Sequence, residues 1–460
     1  MAASAKQDFV IIGAGPVGTL LAIYLAKAGF KSHLYERRCD LRMATAEEGR
    51  SINLVLTHRG IQALARVGAK EEVLKITVPV YGRMIYQSNE KIDYQPYGKD
   101  NSECNYSVNR SELNKLLLNL AEKAGVKIYF EHKLEAINFS TNSLIFSNNK
   151  VVQASRIFGV DGAGSVVRKE LTSYWKIKNK TYADYLQPLG VEYKELFMPA
   201  GKDGAPLLEK GALHIWPRGK HFLMALPNLD GSFTMTLYLP ETGENSFKNY
   251  ANEESVRAYF IREYPSAYQL MPNLMDHYFK NPIGKLSTVR CRPWHELDTC
   301  LLLGDAAHGV VPFFGQGMNA GFEDCEVFDD LISMHGGDWN KIFADFSTLQ
   351  KPNGDAIADM AIENFIEMSD KVADQNFLLQ KQVEKVLNER FPDKYKSRYR
   401  LVVYSSLPYQ YCQAIGKIQK DILTELCLNK TDLAEIDFTH ALSLIDKKLS
   451  SYLKEHVIEF

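Results

Sequence analysis

The first 36 residues carry an apolar strand, a glycine-rich turn, a helix and a second strand, the pattern of a parallel nucleotide-binding sheet. Residues 9–12 are apolar, residues 13–18 have the spacing GxGxxG, and residues 17–28 have a helical pattern. The glycines permit a tight turn, a close approach of pyrophosphate, and packing of the helix on the strand. The second strand, residues 32–35, ends at Glu36, whose carboxylate can bind an adenosine ribose. The motif does not distinguish NAD from FAD, because both contain adenosine diphosphate.

A second strand-and-turn motif lies at residues 301–325. Residues 301–303 predict a buried strand, and Gly304 permits a sharp turn that presents Asp305 to a ligand at the strand's carboxyl end. The glycine-rich stretch 315–321 then predicts a helix start, where backbone amides can meet negative charge on a ring or a phosphate. Taken alone, these residues also fit an ordinary strand, loop and helix.

A third motif separates the other two. Residues 155–160 predict an apolar strand that ends in Asp161 and Gly162, and the following helical segment contains Arg168. This segment is not a complete second nucleotide site, because GAGSVV lacks the third glycine. A strand, an acid, a glycine and a basic helix, placed between the other two motifs, resemble the pattern of flavin-dependent aromatic hydroxylases, and this resemblance favours FAD over NAD.

The three motifs together resemble the single-component FAD-dependent monooxygenases that hydroxylate aromatic rings. Additional segments resemble the kynurenine-hydroxylating members of that family, and the resemblance extends from residue 13 to about residue 410. These segments are ERR at 36–38, GRSINL at 49–54, RM at 83–84, QPYG at 95–98, NRSELN at 109–114, LHIWPRG at 213–219, ALPNLD at 225–230 and PFFGQGMN at 312–319.

The resemblance implies an α/β fold with a Rossmann-like FAD-binding domain, whose sheet is discontinuous and mostly parallel. It also implies an inserted antiparallel β-sheet substrate domain and a C-terminal helical region. The implied boundaries are 1–78, 99–184 and 291–350 for the FAD-binding domain, 79–98 and 185–290 for the substrate domain, and 351–460 for the helical region capping the active site.

The resemblance also implies the residues that bind FAD. They are Gly13, Gly15, Val17, Gly18, Glu36, Arg38, Val55, Arg110, Leu134, Asp161, Asp305, Gln316, Gly317, Met318 and Asn319. NADPH is implied as the reductant on family grounds alone. Since the sequence has no second complete GxGxxG, we expect NADPH to bind transiently, at a site that the sequence does not locate. We expect no metal.

Residues 79–98 read as two extended segments joined by a polar turn, which predicts a β-hairpin. If Asn89 and Glu90 form the turn, Arg83 lies nearly opposite Tyr97 on one face. An arginine beside a tyrosine can hold a carboxylate. A cation and ring paired on the surface is the alternative.

Segment 185–290 contains short runs typical of antiparallel strands. The period of two places Phe222, Met224 and Leu226 on one face. The residues alone leave plain sheet core as an equal alternative. The resemblance implies instead a pocket over the flavin ring, lined by Leu213, Phe222, Met224, Leu226, Tyr238, Pro312 and Phe313.

Residues 355–372 have helical periodicity, and Asn364 interrupts their apolar face. A buried amide needs a partner, so Asn364 is expected to contact either a neighbouring helix or a ligand. The resemblance favours a ligand and adds Tyr399. Together with Arg83 and Tyr97, these residues would surround the amino-acid end of a substrate.

The resemblance implies hydroxylation of L-kynurenine to 3-hydroxy-L-kynurenine with NADPH and O₂, through a flavin C4a-hydroperoxide, in tryptophan catabolism. No side chain is assigned as catalytic, since the flavin carries the chemistry. His308 is not assigned as a general base, because a histidine beside a flavin loop is at least as often a hydrogen-bonding structural residue and the mechanism does not demand a base. A hydroxylase of another aromatic acid, such as an anthranilate, remains an alternative. So does a flavoprotein that acts as a redox or binding module.

Composition excludes several classes of protein. The net charge is −2 and the basic residues are scattered, which argues against a nucleic-acid partner. The seven cysteines form no CxxC pair, which argues against metal clusters. No stretch approaches the ~18 apolar residues of a membrane span, and the charged segment 437–460 predicts a soluble amphipathic helix. Animal members of the family end in a membrane anchor, so we expect a cytoplasmic, bacterial-type member or a shortened chain. A homodimer is a further expectation.

Overall fold

The computed structural model describes residues 7–43, 53–89, 91–370 and 375–460. The described strands are β1 Gln7–Ile12, β2 Ser32–Tyr35, β3 Asn53–Leu56, β4 Thr77–Val80, β5 Gly82–Tyr86, β6 Ile92–Pro96, β7 Asn105–Asn109, β8 Lys127–Tyr129, β9 Leu134–Asn138, β10 Ser143–Phe146, β11 Val151–Gly159, β12 Ala183–Met198, β13 Ala212–Arg218, β14 His221–Pro227, β15 Phe233–Pro240, β16 Ile283–Arg292, β17 His295–Glu296 and β18 Cys300–Leu302.

The described α-helices are α1 Pro16–Lys27, α2 His58–Arg66, α3 Lys70–Leu74, α4 Arg110–Lys123, α5 Val166–Ile177, α6 Glu253–Glu263, α7 Pro265–Tyr268, α8 Leu274–Lys280, α9 Asp305–His308, α10 Gly317–His335, α11 Trp339–Asp370, α12 Gln375–Arg390, α13 Arg398–Val403, α14 Tyr409–Leu426, α15 Phe438–Leu444 and α16 Ser450–Glu455. Short 3₁₀ turns include Pro312–Phe314, and a π-helical turn, Ile445–Leu449, joins α15 to α16.

The first sheet confirms the predicted parallel arrangement. Its central order is β17-β18-β11-β1-β2-β8, and β10 and β9 extend from β11. β1 runs parallel to both β2 and β11, and β11 runs parallel to β18. Gly159 pairs with Ile12 on one side and with Leu302 on the other. The carboxyl ends of β1, β11 and β18 therefore meet at one edge, where the three sequence motifs follow. The last strand occupies 300–302 rather than the predicted 301–303.

The second sheet has seven strands in the order β16-β12-β15-β14-β13-β5-β6. All its pairs are antiparallel except β13 with β5, so the predicted antiparallel strands and the β5–β6 hairpin are confirmed. Residues 79 and 80 belong instead to a small third sheet, β3-β7-β4. Glu90 of the predicted turn and residues 49–52 of the GRSINL segment lie outside the described residues.

The two faces of the seven-stranded sheet pack against different helices. Leu213, Phe222 and Tyr238 join a buried cluster with the C-terminal helices. Trp216 and Leu223, on the opposite face, join a second cluster under α6–α8. The period of two in the sequence thus assigned the faces correctly. The helices α6–α8 within 185–290 are an addition to the predicted all-strand segment.

The C-terminal part is helical, as predicted, although its first helix begins at Trp339 and crosses the expected boundary at 351. Segment 437–460 forms α15, the π-helical turn and α16 rather than one regular helix. Across the described residues, every helix is either too short or too polar for a bilayer crossing. The predicted α/β class is confirmed, whereas the domain boundaries remain predictions.

We expect Gly18→Ala to lower the free energy of unfolding by roughly 1–3 kcal/mol, because the new methyl group overpacks the turn. A Cβ at Gly18 would lie 2.0 Å from the carbonyl oxygen of Gly13. Urea unfolding followed by circular dichroism measures the change. Gly164→Ala is the matched control, since a Cβ there has nothing within 4 Å. Equal stabilities of the two variants would contradict the packing described.

Candidate active site

The turn after β1 leaves the start of α1 open to an anion. Gly13 has φ +106° and a Cβ on it would lie 2.5 Å from the carbonyl oxygen of Val160, so a side chain is excluded there. Gly15 is the N-cap of α1. Among the described residues, no side chain caps this helix, and nothing lies within 4 Å of a Cβ on Gly15. Uncapped amides at a helix start, beside open space, fit a pyrophosphate.

Glu36 stands at the end of β2, where a ribose is expected. Its side chain is buried, and its carboxylate accepts hydrogen bonds from the amides of Ala14 and Arg38, both at 3.0 Å, and from Nε of Arg38 at 2.8 Å. Burial favours the neutral acid, but the contacts with Arg38 outweigh it and lower the pKa of Glu36. The carboxylate is therefore charged and fixed, with lone pairs left for further donors.

The carboxylate of Asp161, which follows β11, forms local hydrogen bonds. Its oxygens accept from Oγ of Ser165 at 2.5 Å and from the amide of Val166 at 2.6 Å. These contacts stabilise the start of α5, so a cofactor role for Asp161 remains a prediction.

Arg168 of α5 connects the second and third turns. Its guanidinium donates to Asp184 at 2.9 Å, to the carbonyl of Ala306 at 2.8 Å and to that of Ala163 at 2.6 Å. The position of the turn at 161 is thereby linked to that of the turn at 305.

Asp305, unlike Asp161, is exposed and lies at the first position of α9. It follows Gly304, which has φ +57°. A Cβ on Gly317, the first residue of α10, would lie 3.8 Å from Oδ1 of Asp305. No side chain caps α10. An exposed acceptor next to an uncapped helix start suits a polyol attached to an electron-rich ring.

The side chains of Gln316 and Asn319 are occupied within the protein. Oδ1 of Asn319 accepts from the amide of Thr57 at 2.9 Å, and its Nδ2 donates to the carbonyls of Val55 and Gly315 at 2.8 and 2.9 Å. Gln316 bonds to Tyr409 and Thr57. Asn319 thus joins α10 to β3, and these two residues can offer a cofactor their backbone more readily than their side chains.

The remaining residues predicted to bind the cofactor are spread around this edge. Arg110 begins α4 with its side chain exposed, and Met318 is half-buried at the start of α10. Leu134 is buried in the core at the start of β9. The packing of Leu134 leaves its backbone, rather than its side chain, for any contact with a nucleotide.

His308 has a structural partner. Its Nε2 lies 2.6 Å from Oδ2 of Asp324, which also accepts from the amide of Gly304 at 2.8 Å. Burial opposes the charged imidazole, but Asp324 outweighs it and raises the pKa of His308. Through Asp324, His308 is linked to the turn that precedes Asp305.

Arg83 lies beside two tyrosines that come from different parts of the chain. Its guanidinium carbon is 5.2 Å from the ring centre of Tyr97 and 5.4 Å from that of Tyr399. The two rings are stacked at 5.4 Å, and Asn105 donates to the hydroxyl of Tyr399 at 3.0 Å. Nε of Arg83 is buried and has no hydrogen-bond partner among the described residues. A buried donor without a partner is costly, and an anionic ligand would supply one.

The predicted register of the hairpin was slightly wrong. Arg83 pairs with Gln95, and not with Tyr97. Tyr97 stands two positions after Gln95, directly after the end of β6, which is within reach of a long side chain. The contact expected between Arg83 and Tyr97 therefore exists as a diagonal pair.

The amide nitrogen of Asn364, on α11, has a partner within the protein. Its Nδ2 donates to the carbonyl of Phe313 at 2.6 Å, which belongs to the turn 312–314 and not to a neighbouring α-helix. We call residues 312–316 the aromatic loop. Contact of Asn364 with a substrate remains a prediction. Because Nδ2 already donates to Phe313, such a contact would use Oδ1.

A cluster of aromatic rings lies next to Asn364. Phe222 lies 4.7 Å from Tyr238 and 5.7 Å from Phe313, between ring centres. Phe365, which the sequence reasoning missed, lies 4.7 Å from Phe313; its place next to Asn364 was the available signal. Leu213 is buried, Met224 and Leu226 are half-buried, and Pro312 is exposed. Asn105 and Tyr404 were also missed, because only the fold brings them to Tyr399.

Solved structures share this architecture. A tetrameric 2-methyl-3-hydroxypyridine-5-carboxylic acid oxygenase is 19% identical, with a TM-score of 0.63 over 78% of this chain and 91% of that one. PqsL of P. aeruginosa in complex with 2-aminobenzoylacetate is also 19% identical, with a TM-score of 0.64 over 79% of this chain and 97% of that one. At this level of identity the likeness concerns the fold alone.

Sequence comparison defines the class. The model of the FAD binding domain family matches residues 6–334, so the fold and the site are those of an FAD-binding monooxygenase. A protein of Myxococcus xanthus named kynurenine 3-monooxygenase is 43% identical over 100% of this chain and 99% of its own length. One from Legionella pneumophila with the same name is 40% identical over 97% and 100%. The chain belongs to the kynurenine 3-monooxygenase family.

We expect Glu36→Gln to weaken FAD binding by roughly tenfold, because hydrogen bonds to a charged acceptor contribute about 1.5–3 kcal/mol. Titration of the apoprotein, followed by flavin fluorescence, measures the dissociation constant. Asp40→Asn is the control, since Asp40 is a nearby carboxylate that bonds to Arg42. Similar affinities for both variants would refute the role of Glu36.

Proposed function

We propose that this protein hydroxylates L-kynurenine at ring position 3, with NADPH as reductant and O₂ as oxidant. Membership of the kynurenine 3-monooxygenase family supports the reaction. The substrate assignment depends on Nε of Arg83. This buried atom has no hydrogen-bond partner among the described residues and lies beside the stacked Tyr97 and Tyr399. A carboxylate of an amino acid would fit next to it.

The residues at the sheet edge fit FAD. Amides at the start of α1 would hold its pyrophosphate, Glu36 its ribose, and Asp305 with the start of α10 its polyol and ring. Bound FAD supplies the activated oxygen that no amino-acid side chain can provide. The protein contributes binding, orientation and exclusion of water.

Opposite charges would hold the amino-acid end of the substrate. The Arg83 guanidinium pairs with the carboxylate, and the hydroxyls of Tyr97 and Tyr399 can add hydrogen bonds to it. Oδ1 of Asn364 can accept from the ammonium group, while Nδ2 of the same residue stays on Phe313. A simple aromatic acid has no ammonium group, so this acceptor favours an α-amino acid.

The aromatic cluster of Phe222, Tyr238, Phe313 and Phe365 provides the place for the substrate ring. Apolar walls keep water away from reactive oxygen. The amino group of kynurenine makes its ortho ring carbon nucleophilic, so the reaction needs no strong base from the protein. His308 is not assigned as one, since its Nε2 bonds to Asp324.

The proposals for cellular location and assembly rest on the sequence-based expectations alone. We propose that the protein acts in the cytoplasm and forms a homodimer. Size-exclusion chromatography with light scattering tests the dimer.

With L-kynurenine present, the protein should oxidise NADPH faster and release a product heavier by one oxygen atom. Mass spectrometry under ¹⁸O₂ identifies the source of that atom. Faster oxidation without the mass gain would make kynurenine an effector only. No response to kynurenine, together with a response to anthranilate or a hydroxybenzoate, would support the alternative of another aromatic acid.

Arg83→Met should raise KM for kynurenine by roughly tenfold or more while FAD remains bound, because a charge-assisted contact worth about 1.5–3 kcal/mol is lost. Steady-state kinetics and the flavin absorption spectrum measure the two properties. Lys91→Met removes a positive charge from the same hairpin at an exposed position and should leave KM unchanged. Loss of FAD together with substrate binding would show that Arg83 is structural.

A further inference from the structure

The C-terminal helices contact the aromatic loop through Tyr409, the first residue of α14. Its hydroxyl donates to Oε1 of Gln316 at 2.9 Å, across 93 positions of sequence. Both side chains are only 1% exposed. Nε2 of Gln316 lies 3.4 Å from Oγ1 of Thr57, so the amide is held at both ends. Gln316 is the N-cap of α10, and the contact therefore fixes the residue at which this helix begins.

Arg59 of α2 holds Tyr409 in turn. Its guanidinium carbon lies 4.0 Å from the ring centre of Tyr409, and the side chain is 1% exposed. The guanidinium pairs with Glu323 of α10 and donates to the carbonyl of Leu407. A buried cation is tolerated only with such partners. The start of α14 is thereby joined to α2 and α10 around one charge.

The aromatic loop is thus attached to the C-terminal helices near both of its ends. Asn364 of α11 donates to the carbonyl of Phe313, and Tyr409 of α14 donates to the side chain of Gln316. Between them lies Gly315 with φ +67°. Within the loop the amide of Gly315 donates to the carbonyl of Pro312 at 2.9 Å, and Nδ2 of Asn319 donates to the carbonyl of Gly315 at 2.9 Å. The contacts of Asn364 and Tyr409 add the C-terminal helices to these local restraints.

We propose that Tyr409 is a positioning residue for the flavin. Its hydroxyl holds Gln316, and through Gln316 the amides at the start of α10, in the arrangement that binds FAD and directs oxygen to the substrate. Tyr409 acts through another side chain and is not itself catalytic. The claim that Tyr409 affects hydroxylation by the flavin rests on the proposed function. The claim that Tyr409 supports FAD binding does not depend on which substrate the protein uses.

Tyr409→Phe tests the proposal, because it removes only the hydroxyl and leaves Oε1 of Gln316 buried without that donor. If the loop adopts its FAD-binding conformation in a smaller fraction of the molecules, the apparent affinity for FAD falls by the same factor as that fraction. Titration of the full-length apoprotein with FAD should show a dissociation constant about tenfold higher than that of the wild type. The share of oxidised NADPH that yields hydroxylated product should fall, with a matching rise in hydrogen peroxide.

Tyr395→Phe is the matched control. Tyr395 is a fully buried tyrosine of the same region, and its hydroxyl has no hydrogen-bond partner within the described part of the chain. This variant should keep the wild-type FAD affinity and product ratio. Equal FAD affinities for Tyr409→Phe and Tyr395→Phe would overturn the proposal. If the wild type ignored kynurenine while Tyr409→Phe bound FAD weakly, the proposed function would fail and the positioning role would stand.

A double-mutant cycle with Gln316→Leu separates positioning from general destabilisation. If the hydroxyl acts through Gln316, the losses in FAD affinity are not additive, and the double variant binds FAD no worse than Gln316→Leu alone. Additive losses would overturn the proposal. Since the double variant removes donor and acceptor together, it also provides a folded protein if Tyr409→Phe alone is unstable.

Discussion

Parallel pairing of β1, β11 and β18 brings together three turns that are far apart in the sequence. Because Ile12, Gly159 and Leu302 stand in register, the residues that follow each strand meet at one edge of the sheet. Ligands of open α/β sheets bind at such an edge. The Arg168 guanidinium then links two of the turns by hydrogen bonds to backbone carbonyls. The strand pairing therefore fixes the distances between the three turns, and these turns together can hold a cofactor.

The second half of the site depends on polar contacts buried between layers. The seven-stranded sheet supplies Arg83 and the aromatic faces, and the C-terminal helices supply Tyr399 and Phe365. Hydrogen bonds of Asn364 and Tyr409 fasten these helices to the aromatic loop. A buried polar group that loses its hydrogen-bond partner destabilises the fold. These hydrogen bonds therefore favour one relative position of the layers. The proposed flavin and substrate sites would meet at this loop.

Much of this arrangement was predictable from local patterns. The three strand-and-turn motifs, the hairpin and the alternating faces of β13–β15 follow from short-range periodicity. The partner of Arg83 was misjudged by one position, Pro96 instead of Gln95, because turn geometry is not encoded in the alternation of residues. The protein partner of the Asn364 Nδ2 atom, the carbonyl of Phe313, was not predictable for another reason. A sequence indicates that a buried amide needs a partner, but not which carbonyl the fold will place beside it.

Local sequence was sufficient for the glycine-dependent turns and the strands that precede them, because the steric requirements of a turn and the period of a strand act over a few residues. The α/β class and most of the candidate residues came from the resemblance to the family. Only the folded chain decided that Tyr97 stacks on Tyr399, that Asp161 stabilises α5 while Asp305 stays exposed, and that Tyr409 holds Gln316. These contacts join residues up to hundreds of positions apart, and they depend on the relative placement of whole layers. That placement is set by the packing of many side chains at once.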